Sequence, residues 1–319
     1  MEMNEALLEK GLEIISQCKS RTGDIWEAHI GAAAIAGFFL ARDHAESPEA
    51  ARRIAAQAEA MAALQASGFS EDASGEKTDF AIASGLILEA LDASIDGLHW
   101  VGHHVIYSSA SLLALRELGS WGSRADIEGI VDLIRSFKNT PPGRSWLGYS
   151  ASEVKKLEIE AEDRIPEIAG ADQLSAFVIG ELASFVAIYR AEAHHDLIGH
   201  LLTFSHALNV LDDLGHPDMF RRGLPALLKL AKALRRSRDL DPERPLSLRS
   251  PVDRLPLVRA PRSERLPAEA EYWDRDYSAE HWDFGHAFKF PFSFYDHLRR
   301  VSHPPAAAVE NFRYIILSE

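Results

Sequence analysis

The sequence predicts an all-α protein, and two observations carry that reading. Apolar side chains recur at helical spacing along most of the chain, and no segment shows the period-2 alternation or the Val/Ile/Thr clusters that strands need. The first helix is expected over 4–21, where Leu7, Leu8, Leu12, Ile14 and Ile15 fall at a helical spacing. Residues 29–43 are apolar nearly all round, as expected of a buried helix. Ser47-Pro48-Glu49 sets a Pro at a first helical position behind a Ser cap and opens a helix to about Ala66. The polar run from Ser67 to Thr78 reads as a loop. Further helices are predicted at 79–97, 103–118, 123–138, 151–165, 172–194, 200–214 and 217–237.

The character changes over 238–267, which holds six of the fifteen prolines with arginines interspersed. Prolines at that density exclude a helix, so this connector should be extended or irregular. It reads either as a solvated span along an acidic body or as a basic arm that holds an anionic cofactor or partner. Residues 268–319 are dense in aromatics and histidine and should dock back on the helical body of 1–237, making a single domain overall.

Composition narrows the class. The 319 residues are 46% hydrophobic and 26% charged, enough for a sizeable core. With 34 Lys and Arg against 48 Asp and Glu, the net charge of −14 repels nucleic acid and anionic membranes. Cys18 is alone, which removes an internal disulfide and any CxxC motif. The first residues lack a basic leader, and the longest uncharged apolar stretch, Ile30 to Ala41, is too short to cross a bilayer. The expectation is a soluble cytoplasmic protein without nucleic-acid or membrane partners. Neither a G-x-G-x-x-G after a strand nor a Walker A, G-x-S-x-G or H-E-x-x-H motif occurs.

Fourteen histidines are the abnormal number. Four segments superpose as Asp or His, four residues, then His: Asp24 to His29, His99 to His104, His195 to His200 and His281 to His286. The second histidines are separated by 75, 96 and 86 residues, as in diverged repeats with variable loops. Five residues on one straight helix rotate by about 500°, so the two ends would face different sides. Each unit therefore reads as helix, sharp corner, helix, with Gly102, Gly199 and Gly285 inside the corner. Packed around an axis as a bundle or toroid, these repeats would deliver seven imidazoles and one carboxylate to a central His-rich pocket. The predicted metal ligands are His29, His104, His200 and His286 with Asp24, His99, His195 and His281. They form one metal set with a supporting set, or a binuclear site. Imidazole with carboxylate suits Fe(II) first, then Mn(II) or Zn(II). Asp96 and Glu192, each three residues before a first-slot His, are placed to orient it. His103, His206 and Lys289 are candidate catalytic groups: His103 by proximity to His99, His206 as a pocket acid/base, and Lys289 as a partner for an anionic substrate or cofactor.

The His-initiated helices His104-VIYSSASLLAL, His200-LLTFSHALNVL and His286-AFKFPFSFY resemble the questin oxidase-like family across most of the chain. That resemblance implies an all-helical oxygenase that uses NADPH for Baeyer–Villiger-like cleavage of a polycyclic aromatic ketone. The leading expectation is thus a metal-dependent oxygenase for a small apolar aromatic substrate. The alternatives are a Zn-dependent hydrolase or lyase at the same histidines, and a non-catalytic helical-repeat scaffold.

Overall fold

A computed structural model describes residues 4–65, 76–240, 246–275, 277, 283 and 285–317. Its helices are α1 (Ala6–Thr22), α2 (Ala28–Asp43), α3 (Pro48–Gln65), α4 (Phe80–Asp92), α5 (His103–Leu118) and α6 (Arg124–Arg135). They continue as α7 (Ala151–Lys156), α8 (Ala171–Ala183), α9 (Leu197–Asp213), α10 (Pro217–Arg235), α11 (His286–Arg300) and α12 (Ala306–Phe312). Strand structure among the described residues is confined to two antiparallel two-residue pairs. β1 (Thr78–Asp79) pairs β2 (Ser120–Trp121), and β3 (Trp146–Leu147) pairs β4 (Leu248–Arg249) with Trp146 opposite Arg249.

Helices that are apolar nearly all round cannot face water, and this decides the layering. α2, α5 and α9 are buried along most of their length and, with α11, form an inner ring. α2 packs on α5, α5 on α9, α9 on α11, and α11 returns to α2. The amphipathic helices surround this ring: α1 and α3 cover α2, α4 covers α5, and α8 and α10 cover α9. α6 lies on α1 and α4, with Ile127, Ile130, Val131, Leu133 and Ile134 buried. Its Ser123 cap and Asp126 form a reciprocal capping box, which sets where the helix begins. No helix among the described residues is long and apolar enough to cross a membrane.

Several predicted helices are shorter than their pattern, among them the expected 79–97 helix, which ends at Asp92. The expected 151–165 helix ends at Lys156, because the acidic chain that follows bends to Lys232, whose Nζ donates to Glu158 O and Asp163 Oδ2, both at 2.8 Å. The expected 172–194 helix stops at Ala183. Beyond it, Arg190 N donates to Val258 O and Ala260 N to Ile188 O, both at 2.8 Å, so the connector replaces the helical partners. The helix resumes as a π-helical turn, Glu192–Asp196, that runs directly into α9. The connector is therefore stitched to the body. Behind it, buried Trp273 stacks on Phe288 of α11 at 5.3 Å between ring centroids.

Candidate metal centre

The four inner helices begin at the same end of the molecule, and each carries a histidine in its first turn. His29, His103, His200 and His286 form a closed ring of imidazoles that follows the ring of helices. Centroid separations are 4.5 Å from His29 to His103, 4.8 Å from His103 to His200, 5.0 Å from His200 to His286, and 5.6 Å from His286 back to His29. All four are buried.

The repeat that builds this ring is Gly-His followed four residues later by an aromatic: Gly102-His103 with Tyr107, Gly199-His200 with Phe204, and Gly285-His286 with Phe290. A Cβ on Gly102 would stand 2.3 Å from Phe204, and one on Gly199 would stand 2.2 Å from Phe290. Each glycine is thus the seat for the aromatic of the next helix round the ring. The ring closes with a small residue, since a Cβ on Gly285 would meet Ala33 Cβ at 2.2 Å, and Ala33 is four residues after His29. At Tyr107 the hydroxyl donates to Ile25 O at 3.3 Å, just ahead of α2. Gly102 and Gly285 also have φ of 93° and 77° at the turn into their helices, where a side chain would be strained.

This register corrects several expectations. His103, not His104, joins the ring. Trp100, Val101 and Gly102 all have positive φ, which starts α5 one residue earlier than the five-residue spacing implies. His104 then points about 100° away. It packs against His99 at 5.1 Å and Phe137 at 6.1 Å, where burial pushes its pKa down to about 3. His99 hydrogen-bonds Thr140 O at 3.3 Å, outside the ring. Asp24 is exposed, and its carboxylate accepts from Trp26 N at 2.9 Å in the turn between α1 and α2. His195 lines the adjacent cavity with Nδ1 on the Ala191 backbone. His281 lies outside the described residues. His206 sits deeper along α9, with Nδ1 3.1 Å from Ser293 Oγ, and does not reach the ring. Asp96 is tied on the surface by Arg222, and Glu192 accepts from Arg144 and Ser145. Lys289 does come to the centre, with Nζ 2.6 Å from His29 Nδ1.

Asp196 is the residue that sequence reasoning missed. Its carboxylate and the rings of His200 and His286 offer three donor atoms within 4.8 Å of one another. Oδ2 is 3.3 Å from His200 Nδ1, and Oδ1 is 3.2 Å from His286 Nδ1. The signal was available as spacing: Asp196 precedes His200 by four residues, so the two share a helix face. Asp283, three residues before His286, approaches it at 3.6 Å.

Proton placement favours ligation. His103 Nδ1 donates to Trp100 O, and His200 Nδ1 donates to Asp196 O at 2.8 Å. Each ring then carries its lone pair on Nε2, the tautomer that metal-binding imidazoles adopt. The buried Nε2 atoms of His103 and His286 have no hydrogen-bond partner among the described residues. Such orphaned acceptors are costly unless something occupies them. Burial holds His29 and His103 well below the ordinary imidazole range and lowers His286, so these rings present lone pairs at neutral pH. Burial alone would raise Asp196, but His200 and His286 hold it well below the usual carboxylate range. Burial also pushes Lys289 down to about 7 against the opposing pull of Asp196 and Asp283.

Above the ring opens a cavity of about 340 Å³, bounded by Trp26, Trp100, Val101, Leu197, Arg144 and Glu192. Trp26 and Trp100 meet edge to face at 5.0 Å, giving the cavity an aromatic wall. No family model, no curated protein and no solved structure matches the chain.

Proposed function

We propose that this chain is a metal-dependent oxygenase of the cytoplasm, holding Fe(II) through Asp196, His200 and His286 and acting on a small apolar aromatic substrate. The observation that carries the proposal is the donor set, two imidazoles and one carboxylate at the floor of an aromatic-walled cavity. That combination suits non-haem Fe(II) with open positions, whereas structural zinc favours a closed set rich in thiolate. Once bound, the metal supplies redox chemistry and a site for dioxygen.

The chain's own groups have distinct tasks. Trp26 and Trp100 offer faces and edges to a flat substrate and exclude water around it. His103 and His29 line the cavity beside the donor set, and Lys289 stands behind His29. With its amine near neutrality, Lys289 passes a proton to His29 Nδ1 or takes one from it. The converging N-termini of α2, α5 and α11 place partial positive charge at this end, which stabilises negative charge developing on a substrate oxygen. The resemblance to the questin oxidase-like family supports the same assignment. It adds NADPH as the electron source and a Baeyer–Villiger-type oxidation of a polycyclic ketone as the reaction.

Metal analysis of the purified protein tests this directly, followed by anaerobic loading with Fe(II) and oxygen-electrode measurements with NADPH and a polycyclic aromatic ketone. Near-stoichiometric iron and ketone-dependent oxygen uptake are expected. Retained zinc with hydrolytic activity would replace the oxygenase reading, and failure to bind any divalent metal would leave a helical scaffold with structural histidines.

A further inference from the structure

Resting on the metal site just proposed, we infer that Asp253, on the Pro/Arg-rich connector, is a positioning residue for the ligand Asp196. Asp196 stands at the junction where α9 is entered from a non-α-helical turn. It ends the π-helical turn Glu192–Asp196, entered through irregular backbone at 184–191. The first N–H groups of such a turn have no partner within it. Asp253 supplies them: Oδ1 accepts from Glu192 N and Oδ2 from Ala193 N, both at 2.9 Å. Both carboxylate oxygens are thus spent on orienting the turn, and the negative charge lies where a helical N-terminus favours it.

Asp253 is itself fixed. Its backbone N donates to Ser250 Oγ at 2.9 Å, and Ser250 Oγ lies 2.9 Å from Ser145 Oγ. Ser145 Oγ in turn donates to Glu192 Oε1 at 2.7 Å. A closed loop of hydrogen bonds therefore joins the connector, the β3 segment and the turn. β3–β4 pairing fixes the connector on one side of this loop, and the Tyr189–Arg259 bridge fixes it on the other. The connector is a strap across the turn that carries the ligand Asp196. Groups hydrogen-bonded directly to a ligand typically change metal affinity 10- to 100-fold; Asp253 acts one step further out, through the turn that carries Asp196, so the low end of that range is expected.

The test compares Asp253→Ala and Asp253→Asn in the full chain by Co(II) titration against a chelator, with the Co(II) visible spectrum as readout. Asp253→Ala should weaken Co(II) about tenfold or more and change the spectrum, with helical circular dichroism unchanged. Asp253→Asn, which keeps one acceptor oxygen, should recover part of both. A folded Asp253→Ala variant with wild-type Co(II) affinity and spectrum overturns the inference. If the wild-type chain binds no Co(II), the metal reading itself fails. The positional claim is then decided by hydrogen exchange, which should quicken at residues 192–200 in Asp253→Ala; unchanged protection there overturns it as well.

Discussion

The inner ring holds two clusters of imidazole and carboxylate, and they differ in what their nitrogens meet. At the helix starts, the Nε2 atoms of His103 and His286 are buried beside a cavity of about 340 Å³ with no hydrogen-bond partner among the described residues. Farther along the same helices, His297 is equally buried, yet both of its nitrogens are occupied. Ser205 Oγ already donates to Leu201 O, so it accepts from His297 Nε2 at 2.8 Å. Nδ1 then accepts from Ser175 Oγ at 2.9 Å, and Asn209 Nδ2 donates to Ser175. Nearby Asp296 is matched by Arg300 at 2.9 Å and Arg299 at 3.2 Å. The free space at this level is only about 30 Å³, room for a water or two. Identical residue types thus build a binding site in one place and a core network in the other. What marks the binding site is an unsatisfied lone pair beside an open cavity: the nitrogens of His104 also lack a hydrogen-bond partner among the described residues, but His104 does not line the cavity.

Exchanging the two clusters' roles by mutation is the most forceful way to break this contrast. His286→Ala or Asp196→Asn should lower metal affinity at least a hundredfold while leaving thermal stability near wild type, as metal analysis and calorimetry can check. His297→Ala should do the reverse. It orphans the buried Ser175 and Ser205 hydroxyls and should cost about 3 kcal/mol of unfolding free energy in urea titrations, with metal content intact. If His297→Ala removed the metal, or His286→Ala unfolded the chain, the division would fail.

A smaller effect should come from the ring's packing. Gly285→Ala puts a methyl against Ala33 and forces positive φ on a side chain. A loss of about 2 kcal/mol is expected, together with weaker metal binding because His286 is the next residue. The most gradual effect, spread over more than two pH units, is the acid response of the far cluster. Burial pushes His297 down to about 4, whereas in the unfolded chain it titrates near 6.5. Between these values the unfolded state binds a proton that the folded state does not. Stability should therefore fall as pH drops through that window, by roughly 1 kcal/mol per pH unit from this group. His297→Ala should flatten the slope of melting temperature against pH; an unchanged slope would assign it to other groups.

Much of this arrangement was legible beforehand. The helices over 29–43, 103–118 and 200–214 were readable because their apolar character is continuous. Histidines at helix starts, with glycines in the corners, pointed to a shared pocket. The alignment chose His104 because it kept a fixed five-residue spacing. The better guide is Gly-His with an aromatic four residues on, which selects His103, His200 and His286 together, although Gly215-His216 with Phe220 also fits it. That unit is set apart by Pro217, which opens α10 and leaves His216 at the cap ahead of the helix rather than in its first turn.

Sequence alone determined the helical class and the delivery of several imidazoles to one end, because periodicity and chain corners are local properties. Tertiary structure decided which of two adjacent histidines faces inward, since neighbours on a helix diverge by about 100° and three left-handed residues set the starting phase. It also decided that Asp196 would serve and that Asp253 would hold it. Those roles depend on contacts between segments some sixty residues apart, whose register only the folded chain fixes.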